Sequence, residues 1–166
     1  MKLGRRAFLG LGGLGLAGGA ALLWSRGEAG AVPNSAGPYR LSDAEWRRRL
    51  APEAYRVLRR GDTERAGSSP LDREHRRGTF ACAGCALPLF SSADKFDSGT
   101  GWPSFTRPLP GAVGTRADDS LFMRRTEVHC RRCGGHQGHV FDDGPPPTGQ
   151  RWCINGAALK FVPASA

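Results

Sequence analysis

Two Cys-x-x-Cys pairs constrain the fold of this chain more than any other feature. Cys82 and Cys85 form the first pair, and Cys130 and Cys133 form the second. Each pair brings two thiolates together on one turn, and two such turns supply the tetrahedral four-sulfur set of a structural zinc site. Because Cys85 and Cys130 lie far apart in the sequence, the metal would join two distant hairpins. The pattern therefore predicts a domain stabilised by one bound Zn²⁺ ion.

The N-terminal segment predicts export. Residues 1–31 contain Arg5-Arg6 near the start, an apolar run over residues 7–24 and the small-residue sequence Ala29-Gly30-Ala31. This order is typical of a twin-arginine signal peptide with a signal-peptidase site. Residues 32–40 then indicate a flexible spacer, which leaves residues 41–163 as the domain. We expect a location in the periplasm or cell envelope, with an uncleaved membrane anchor as the alternative.

Export leaves more than one interpretation of the cysteine pairs open. An oxidising compartment favours two disulfides or one redox-active pair, although a Cys-x-x-Cys disulfide closes a very small loop and constrains little. Zinc is favoured, because the twin-arginine route moves folded proteins and the metal can bind before export. The residues that follow the pairs, Ala86 and Gly134-Gly135, also suit the positive φ angles of zinc-binding turns.

The charge of the chain does not indicate a nucleic-acid partner. The formal net charge is +9, and removing the four basic residues and one acidic residue of the segment 1–31 lowers it to about +6. The remaining basic pairs and triplets are scattered without interleaved aromatic residues, which is typical of solvated surfaces. We expect no nucleic-acid binding, contact with a membrane only through the export signal, and a monomer.

The domain begins with two predicted short helices. The segment from Ser42 to Glu45 is a capping box that opens a helix ending near Leu50. Pro52 begins a second helix, and Gly61 ends it. Both helices are amphipathic, so we expect them to pack against the rest of the domain.

From residue 79 onward, the sequence changes to short β-type runs separated by Gly, Pro and Asp. The runs are 79–81, 89–90, 121–123, 126–128, 140–141, 152–155 and 159–162. Short strands at close intervals predict an antiparallel sandwich or open barrel. The expected fold is therefore mainly β, of the α+β type, with its small core stapled by the four cysteines.

Cys153 is the one cysteine outside the two pairs, and its neighbours favour a chemical role. Arg151 and Asn155 flank it at two residues on either side, so on a strand they share its face. His136 and His139 lie just upstream, and a nearby imidazole or guanidinium lowers the pKa of a thiol. Two alternatives stay open: Cys153 fills the core as a buried thiol, or the histidines bind the metal.

Trp102 lies in a loop that predicts a binding surface. The loop, Gly99 to Phe105, has the sequence GTGWPSF, in which glycines and a proline hold the indole in place. An aromatic face is a natural contact for a cationic or methyl-sulfur group. The alternative is that the indole covers the edge of the core.

Three long motifs resemble one known family. They are CAGCALPLFSSADKFDSGTGWPSF, RTEVHCRRCGGHQGHVFDDGPPPTG and RWCINGAALKF, in that order within the stretch from about residue 41 to 162. All three are similar to the methionine-R-sulfoxide reductase B family. The resemblance implies two antiparallel β-sheets with a few helices, zinc held by the two cysteine pairs, and reduction of methionine R-sulfoxide, free or in proteins, to methionine.

The resemblance also implies roles at the reacting centre. Cys153 would attack the sulfoxide sulfur and become a sulfenic acid. His136 and His139 would bind the sulfoxide oxygen and help to protonate it. Trp102 would hold the ε-methyl group of the substrate, and Phe105 of the same motif would also bind substrate.

Three further residues would support the thiol, and one cysteine of the family pattern is missing. Asn155 would orient the site, and Arg151 with Asp143 would favour the thiolate of Cys153. Some family members carry a resolving cysteine where this chain has Thr100. We therefore expect the sulfenic acid to be reduced directly by an external thiol or thioredoxin-like dithiol, without an internal disulfide.

The expected function is repair of oxidised methionine in exported proteins under oxidative stress. The alternative from another class is a non-catalytic, zinc-clamped β module whose aromatic pocket binds a ligand. The two differ at Cys153, because a binding module tolerates Cys153→Ser whereas the enzyme loses turnover and keeps its zinc.

Overall fold

The computed structural model describes residues 39–120 and 124–165. The predicted signal peptide, residues 32–38 of the predicted spacer and the predicted strand 121–123 lie outside this range. No helix within it is long and apolar enough to cross a membrane. Tyr39 was expected in the spacer, but its ring lies 5.7 Å from that of Trp46. The packed structure therefore includes part of the predicted spacer.

Both predicted helices are confirmed, and their ends follow the capping signals. Helix α1 spans Asp43–Arg49 behind a complete capping box between Ser42 and Glu45. Helix α2 spans Pro52–Arg60 and ends at Gly61, whose φ of 70° is left-handed. The α2 helix packs on the second β-sheet and on a 3-10 turn near the C-terminus, so it lies next to the elements that carry the candidate site.

The described residues contain nine strands in two antiparallel sheets. The strands are β1 (Gly78–Cys82), β2 (Pro88–Ser91), β3 (Lys95–Phe96), β4 (Ser104–Phe105), β5 (Val113–Asp118), β6 (Arg125–Cys130), β7 (His136–Phe141), β8 (Arg151–Ile154) and β9 (Leu159–Pro163). The first sheet has the order β2-β1-β9, and the second has the order β3-β4-β8-β7-β6-β5. The predicted mainly β fold with two antiparallel sheets and short N-terminal helices is confirmed.

Aromatic side chains fill the space between the sheets. Phe80 of β1 and Phe90 of β2 meet Phe105 of β4, with ring centroids 5.0 and 4.4 Å from that of Phe105. All three rings are fully buried, and each contributes about 1.5–3 kcal/mol by leaving water. This contact fixes β4, and with it the strand beside β4 that carries Cys153.

Three strands were not predicted from the sequence. β3 and β4 have two residues each, too short to show a period. β5 has the sequence VGTRAD and lies at the edge of its sheet, with every side chain half-buried or exposed. An edge strand of this kind needs no apolar run, so composition does not reveal it.

Candidate active site

The four paired cysteines meet between the two sheets. Cys82 ends β1 and Cys130 ends β6, and their partners follow in the next turns. The Sγ atoms of Cys82 and Cys133 are 3.7 Å apart, those of Cys85 and Cys130 are 3.5 Å apart, and all four lie within 4.8 Å of one another. Zn–S bonds of about 2.3 Å in a tetrahedron place the sulfurs about 3.8 Å apart. The buried cluster could therefore hold one metal ion, and its donors fit zinc.

The two cysteine turns have the same local structure. Ala86 follows the first pair with a φ of 58°, and Gly134 follows the second with a φ of 68°. Each backbone N–H donates to the carbonyl of the first cysteine in its pair, at 2.9 Å. Nε2 of Gln137 lies 3.5 Å from Sγ of Cys82 and supplies a side-chain donor to the cluster.

The reactive side chains form a row across the second sheet. Cys153 of β8 pairs with Ser104 of β4 on one side and with His139 of β7 on the other. The row continues through Glu127 of β6 to Arg116 of β5. Directly paired residues of antiparallel strands present their side chains on the same face. The thiol, an imidazole, a carboxylate and a guanidinium therefore share one surface.

A β-bulge in β7 brings His136 to the same surface as His139. Residues three apart on a regular strand point to opposite faces. Here His136 pairs with His129 and Gly138 pairs with Val128, so β7 carries one extra residue between the two pairs. The two imidazole centroids are consequently 5.4 Å apart. Neither imidazole belongs to the four-cysteine cluster.

Each imidazole is held by a carboxylate. Nδ1 of His136 lies 2.7 Å from Oε1 of Glu127, and Nε2 of His139 lies 2.7 Å from Oδ2 of Asp118. Because an ionised carboxylate only accepts, the N–H of neutral His136 is at Nδ1 and that of neutral His139 is at Nε2. Nε2 of His136 is buried and has no partner in the described part of the chain. This nitrogen keeps one hydrogen-bonding position unused, but His136 is buried and is not among the residues that line the cavity beside Cys153.

Glu127 lies between His136 and an arginine. Nη2 of Arg116 donates to Oε1 of Glu127 at 2.9 Å. Burial raises the pKa of the Glu127 carboxyl, but the hydrogen bonds from His136 and Arg116 outweigh burial and leave its pKa below the usual value. Glu127 is therefore ionised at neutral pH.

Asp118 and His139 form a second charged pair. Hydrogen bonding to the Ser120 hydroxyl and then to His139 holds the pKa of Asp118 well below its usual range, against burial. Arg125 completes the group with Nη2 at 2.8 Å from Oδ2 of Asp118. Burial lowers the pKa of His139 more than Asp118 raises it. His139 is therefore mainly neutral at neutral pH.

Cys153 is half-buried beside Thr100 and Arg151. Burial raises the pKa of the thiol above its ordinary value, and the opposing effects of Arg151 and Thr100 are smaller. The predicted influence of Arg151 has the expected direction. Asp143 acts in the opposite direction and raises the pKa of Cys153, so its expected role is corrected. Its carboxylate instead holds Arg151 with two hydrogen bonds of 2.9 and 2.8 Å.

A cavity of about 130 Å³ opens beside Cys153. Its walls include Trp102, His139, Phe141 and Asn155. Oδ1 of Asn155 accepts from a backbone N–H at 3.0 Å, and its Nδ2 donates to a backbone carbonyl at 3.0 Å. An aromatic wall, an imidazole and a thiol thus border a space large enough for a small side-chain group.

Comparison with known proteins identifies the family. The SelR domain matches residues 50–163. The peptide methionine sulfoxide reductase MsrB of Thiobacillus denitrificans is 55% identical over 123 residues, which are 74% of this chain and 93% of that protein. MsrB of Leptospira interrogans is 52% identical over 121 residues, 72% of this chain and 92% of that protein. The chloroplastic peptide methionine sulfoxide reductase B1 of Arabidopsis thaliana is 51% identical over 122 residues, 73% of this chain and 60% of that protein.

The chain belongs to the methionine-R-sulfoxide reductase B family. The family resemblance of the three sequence motifs is confirmed. Membership identifies the chain as a peptide-methionine (R)-S-oxide reductase, an oxidoreductase, and disfavours the alternative of a non-catalytic binding module.

In this reductase B chain, Phe105 takes a place other than the one expected. Its side chain is fully buried and stacks on Phe90 in the core, away from the residues that line the cavity. On β4, Ser104 and Phe105 point to opposite faces, and it is Ser104 that pairs with Cys153. We therefore assign Phe105 to the core rather than to substrate binding.

Sequence reasoning missed the acidic partners of the reductase B site. Glu127 lies inside a predicted strand, and a carboxylate within a β-type run was a signal that it faces a buried cation or imidazole. Asp118 lies in Asp118-Asp119-Ser120, which looks like a turn. Glu64 lies in a polar loop without periodicity, although its side chain is 5% exposed. No local pattern distinguishes Glu64 from a surface residue.

Proposed function

We propose that this family member reduces methionine R-sulfoxide, in peptides or free, to methionine. The observation that carries the proposal is the position of Cys153, the thiol outside the four-cysteine cluster. It borders a cavity walled by Trp102 and lies directly beside His139. A nucleophile, an aromatic contact for a methyl group and groups that can hold an oxygen atom thus converge on one small space.

In the proposed reaction, the thiolate of Cys153 attacks the sulfur of the bound sulfoxide. The sulfoxide oxygen lies near the imidazoles, where His136 in its imidazolium form, with a proton on each nitrogen, would donate to it from the unpartnered Nε2. The Glu127 carboxylate at Nδ1 balances the positive charge of that imidazole. The S–O bond breaks, the oxygen with its proton passes to Sγ of Cys153, and the transient bond between Sγ and the substrate sulfur breaks as methionine leaves. The substrate sulfur is reduced by two electrons, the Cys153 sulfur is oxidised by two, and the product is a Cys153 sulfenic acid.

Discrimination between the two epimers would follow from three fixed directions. Cys153 approaches the sulfur from the sheet, the oxygen points to the imidazoles, and the methyl group packs on Trp102. Trp102 is held in place because its indole Nε1 donates to a backbone carbonyl at 3.1 Å. The S epimer would exchange the positions of the oxygen and another substituent, so that one polar and one apolar contact would be lost.

Regeneration of the thiol requires an external reductant. The chain has five cysteines, and the four others form the buried cluster. Thr100 lies against Cys153, where its hydroxyl cannot resolve a sulfenic acid. We propose that two external thiols, or one thioredoxin-like dithiol, reduce the sulfenic acid and give a disulfide, water and free Cys153.

The four-cysteine cluster would hold zinc. Cys82 ends a strand of the first sheet and Cys130 ends a strand of the second, and Cys85 and Cys133 lie in the turns that follow, so the bound ion would join the two sheets. Zinc has no redox chemistry and takes four thiolates in structural sites. Its contribution here is stability of the scaffold behind the catalytic row.

Export and repair complete the proposal. Residues 1–31 have the order of a twin-arginine signal peptide, which would deliver the enzyme to the periplasm or cell envelope. Methionine side chains of exported proteins are oxidised there, and returning their sulfoxides to thioethers restores apolar packing. The role would then be protein repair under oxidative stress.

The test is turnover of separated R and S epimers of a methionine sulfoxide peptide with dithiothreitol as reductant. The full chain should consume the R epimer, and Cys153→Ser should remain folded and lose turnover. Consumption of the S epimer, or of neither epimer by folded protein, would overturn the proposal.

A further inference from the structure

Glu64 is a buried carboxylate in the loop after α2, outside the residues to which the family resemblance gives roles. Its side chain is 5% exposed. The carboxylate accepts from the backbone N–H of Gly156 at 2.6 Å and from that of Ala157 at 2.7 Å. These two groups begin the 3-10 turn Gly156–Ala158, which directly follows Asn155.

The backbone of Glu64 contacts two walls of the cavity. Its N–H donates to Oδ1 of Asn155 at 3.0 Å, and its carbonyl accepts from indole Nε1 of Trp102 at 3.1 Å. Neither Trp102 nor Asn155 is adjacent to Glu64 in the sequence, and both border the cavity beside Cys153. One residue therefore ties together the aromatic wall, the amide wall and the end of the strand that carries the thiol.

The chemistry at this position favours a carboxylate over other side chains. The N–H groups at the start of a helical turn have no partner within the turn, and an ionised acceptor satisfies two of them at once. The turn requires glycine at position 156, since a Cβ there would lie 2.0 Å from the Ser69 hydroxyl oxygen and 3.3 Å from Oε1 of Glu64. Burial raises the pKa of the Glu64 carboxyl, and both N–H contacts oppose that rise.

We propose that Glu64 is a positioning residue that holds Trp102 and Asn155 in the geometry required around Cys153. The inference rests on the proposed function, because Trp102 must present its face to a methyl group for the position to matter. The carboxylate anchors the loop to the turn after Asn155, and that anchor sets where the Glu64 carbonyl holds the indole.

A carboxylate that supplied only stability would behave differently. Its loss would lower the melting temperature and loosen the domain as a whole, and the indole of Trp102 would change no more than those of Trp46 and Trp152. Both of these indoles are buried, and their Nε1 atoms have no partner within the described residues. They provide internal references for a local change.

The experiment compares the full chain with Glu64→Gln and with the control Glu53→Gln, which removes an exposed carboxylate from α2. The amide keeps the volume and offers one acceptor to two N–H groups. We expect kcat/KM for the R-sulfoxide peptide to fall roughly 10- to 100-fold in Glu64→Gln. The rate at which Cys153 is alkylated in Glu64→Gln should stay within about twofold of the rate in the unsubstituted chain, since the groups that contact the thiol are unchanged. Glu53→Gln should change neither rate.

Hydrogen exchange of the indole N–H groups supplies the structural measurement, with Trp102 assigned from Trp102→Phe. In Glu64→Gln, the Trp102 indole should exchange faster while those of Trp46 and Trp152 keep their rates. A kcat/KM within twofold of the unsubstituted chain, or equal acceleration of exchange at Trp46, Trp102 and Trp152, would overturn the inference. If Glu64→Gln does not fold, Glu64→Asp takes its place with the same expected outcomes, because its shorter carboxylate reaches the turn less well.

Failure of the inference is separable from failure of the proposed function. An unsubstituted chain that reduces no R-sulfoxide refutes the function, whereas the exchange rate of the Trp102 indole still reports whether Glu64 holds it. An active unsubstituted chain with an equally active Glu64→Gln variant refutes the inference alone.

Discussion

Replacing Cys130 by serine should remove a large share of the stability of the domain. Cys130 ends β6 of the second sheet and lies opposite Cys85, 45 positions away in the sequence, in the turn after β1 of the first sheet. A cross-link that closes a loop of this length lowers the entropy of the unfolded chain by an amount worth about 4 kcal/mol. Typical domains have about 5–15 kcal/mol of stability in total. The loss should therefore lower the melting temperature by on the order of 12 °C.

The assay is thermal unfolding followed by circular dichroism, with zinc content measured on the same samples. Cys153→Ser is the matched control, because it also replaces one thiol by a hydroxyl but leaves the four-cysteine cluster intact. We expect the control to keep its zinc and its melting temperature within about 2 °C, which is the scale of a surface substitution. A Cys130→Ser protein with the same melting temperature as the unsubstituted chain would refute the reasoning, since the cluster would then not join the sheets.

Three further predictions concern the site. Because burial raises the pKa of Cys153, the thiol form dominates at neutral pH, and the rate of alkylation by iodoacetamide should climb about tenfold per pH unit from pH 6 to 8; a flat profile would contradict the raised pKa. Thr100→Cys should form an internal disulfide with Cys153 after one turnover, seen by mass spectrometry, since these side chains are in contact; a stable sulfenic acid in that variant would show that the loop holds them apart. His139→Ala should lower kcat with R-sulfoxide by about 10²–10⁴-fold while the protein still folds, and undiminished kcat would remove His139 from the reaction.

Local signals predicted those parts of the fold that local chemistry determines. The capping box at Ser42 and the left-handed Gly61 set the helix ends. The Cys-x-x-Cys spacing predicted a cluster that joins two distant hairpins, and the sulfurs of Cys82 and Cys133 indeed meet. In each case the residues that carry the signal are also the residues that form the structure.

Features that depend on strand pairing could not be predicted in this way. His136 and His139 share a surface only because a β-bulge gives β7 an extra residue opposite β6. Nothing in the sequence HQGH predicts that bulge. Phe105 was assigned to the substrate because it follows Trp102 in one motif, whereas the alternation along β4 turns it into the core. Glu64 becomes part of the site only through contacts with residues distant in the sequence.

The most direct test of the account is a single turnover without reductant. The full chain is mixed with excess peptide R-sulfoxide, methionine peptide is quantified, and sulfenic acid is trapped with dimedone and located by peptide mass mapping. The account predicts about one equivalent of methionine peptide per chain and a dimedone adduct on Cys153. Methionine formation without an adduct at Cys153, or an adduct on any cysteine of the metal cluster instead, would contradict the proposed role of Cys153.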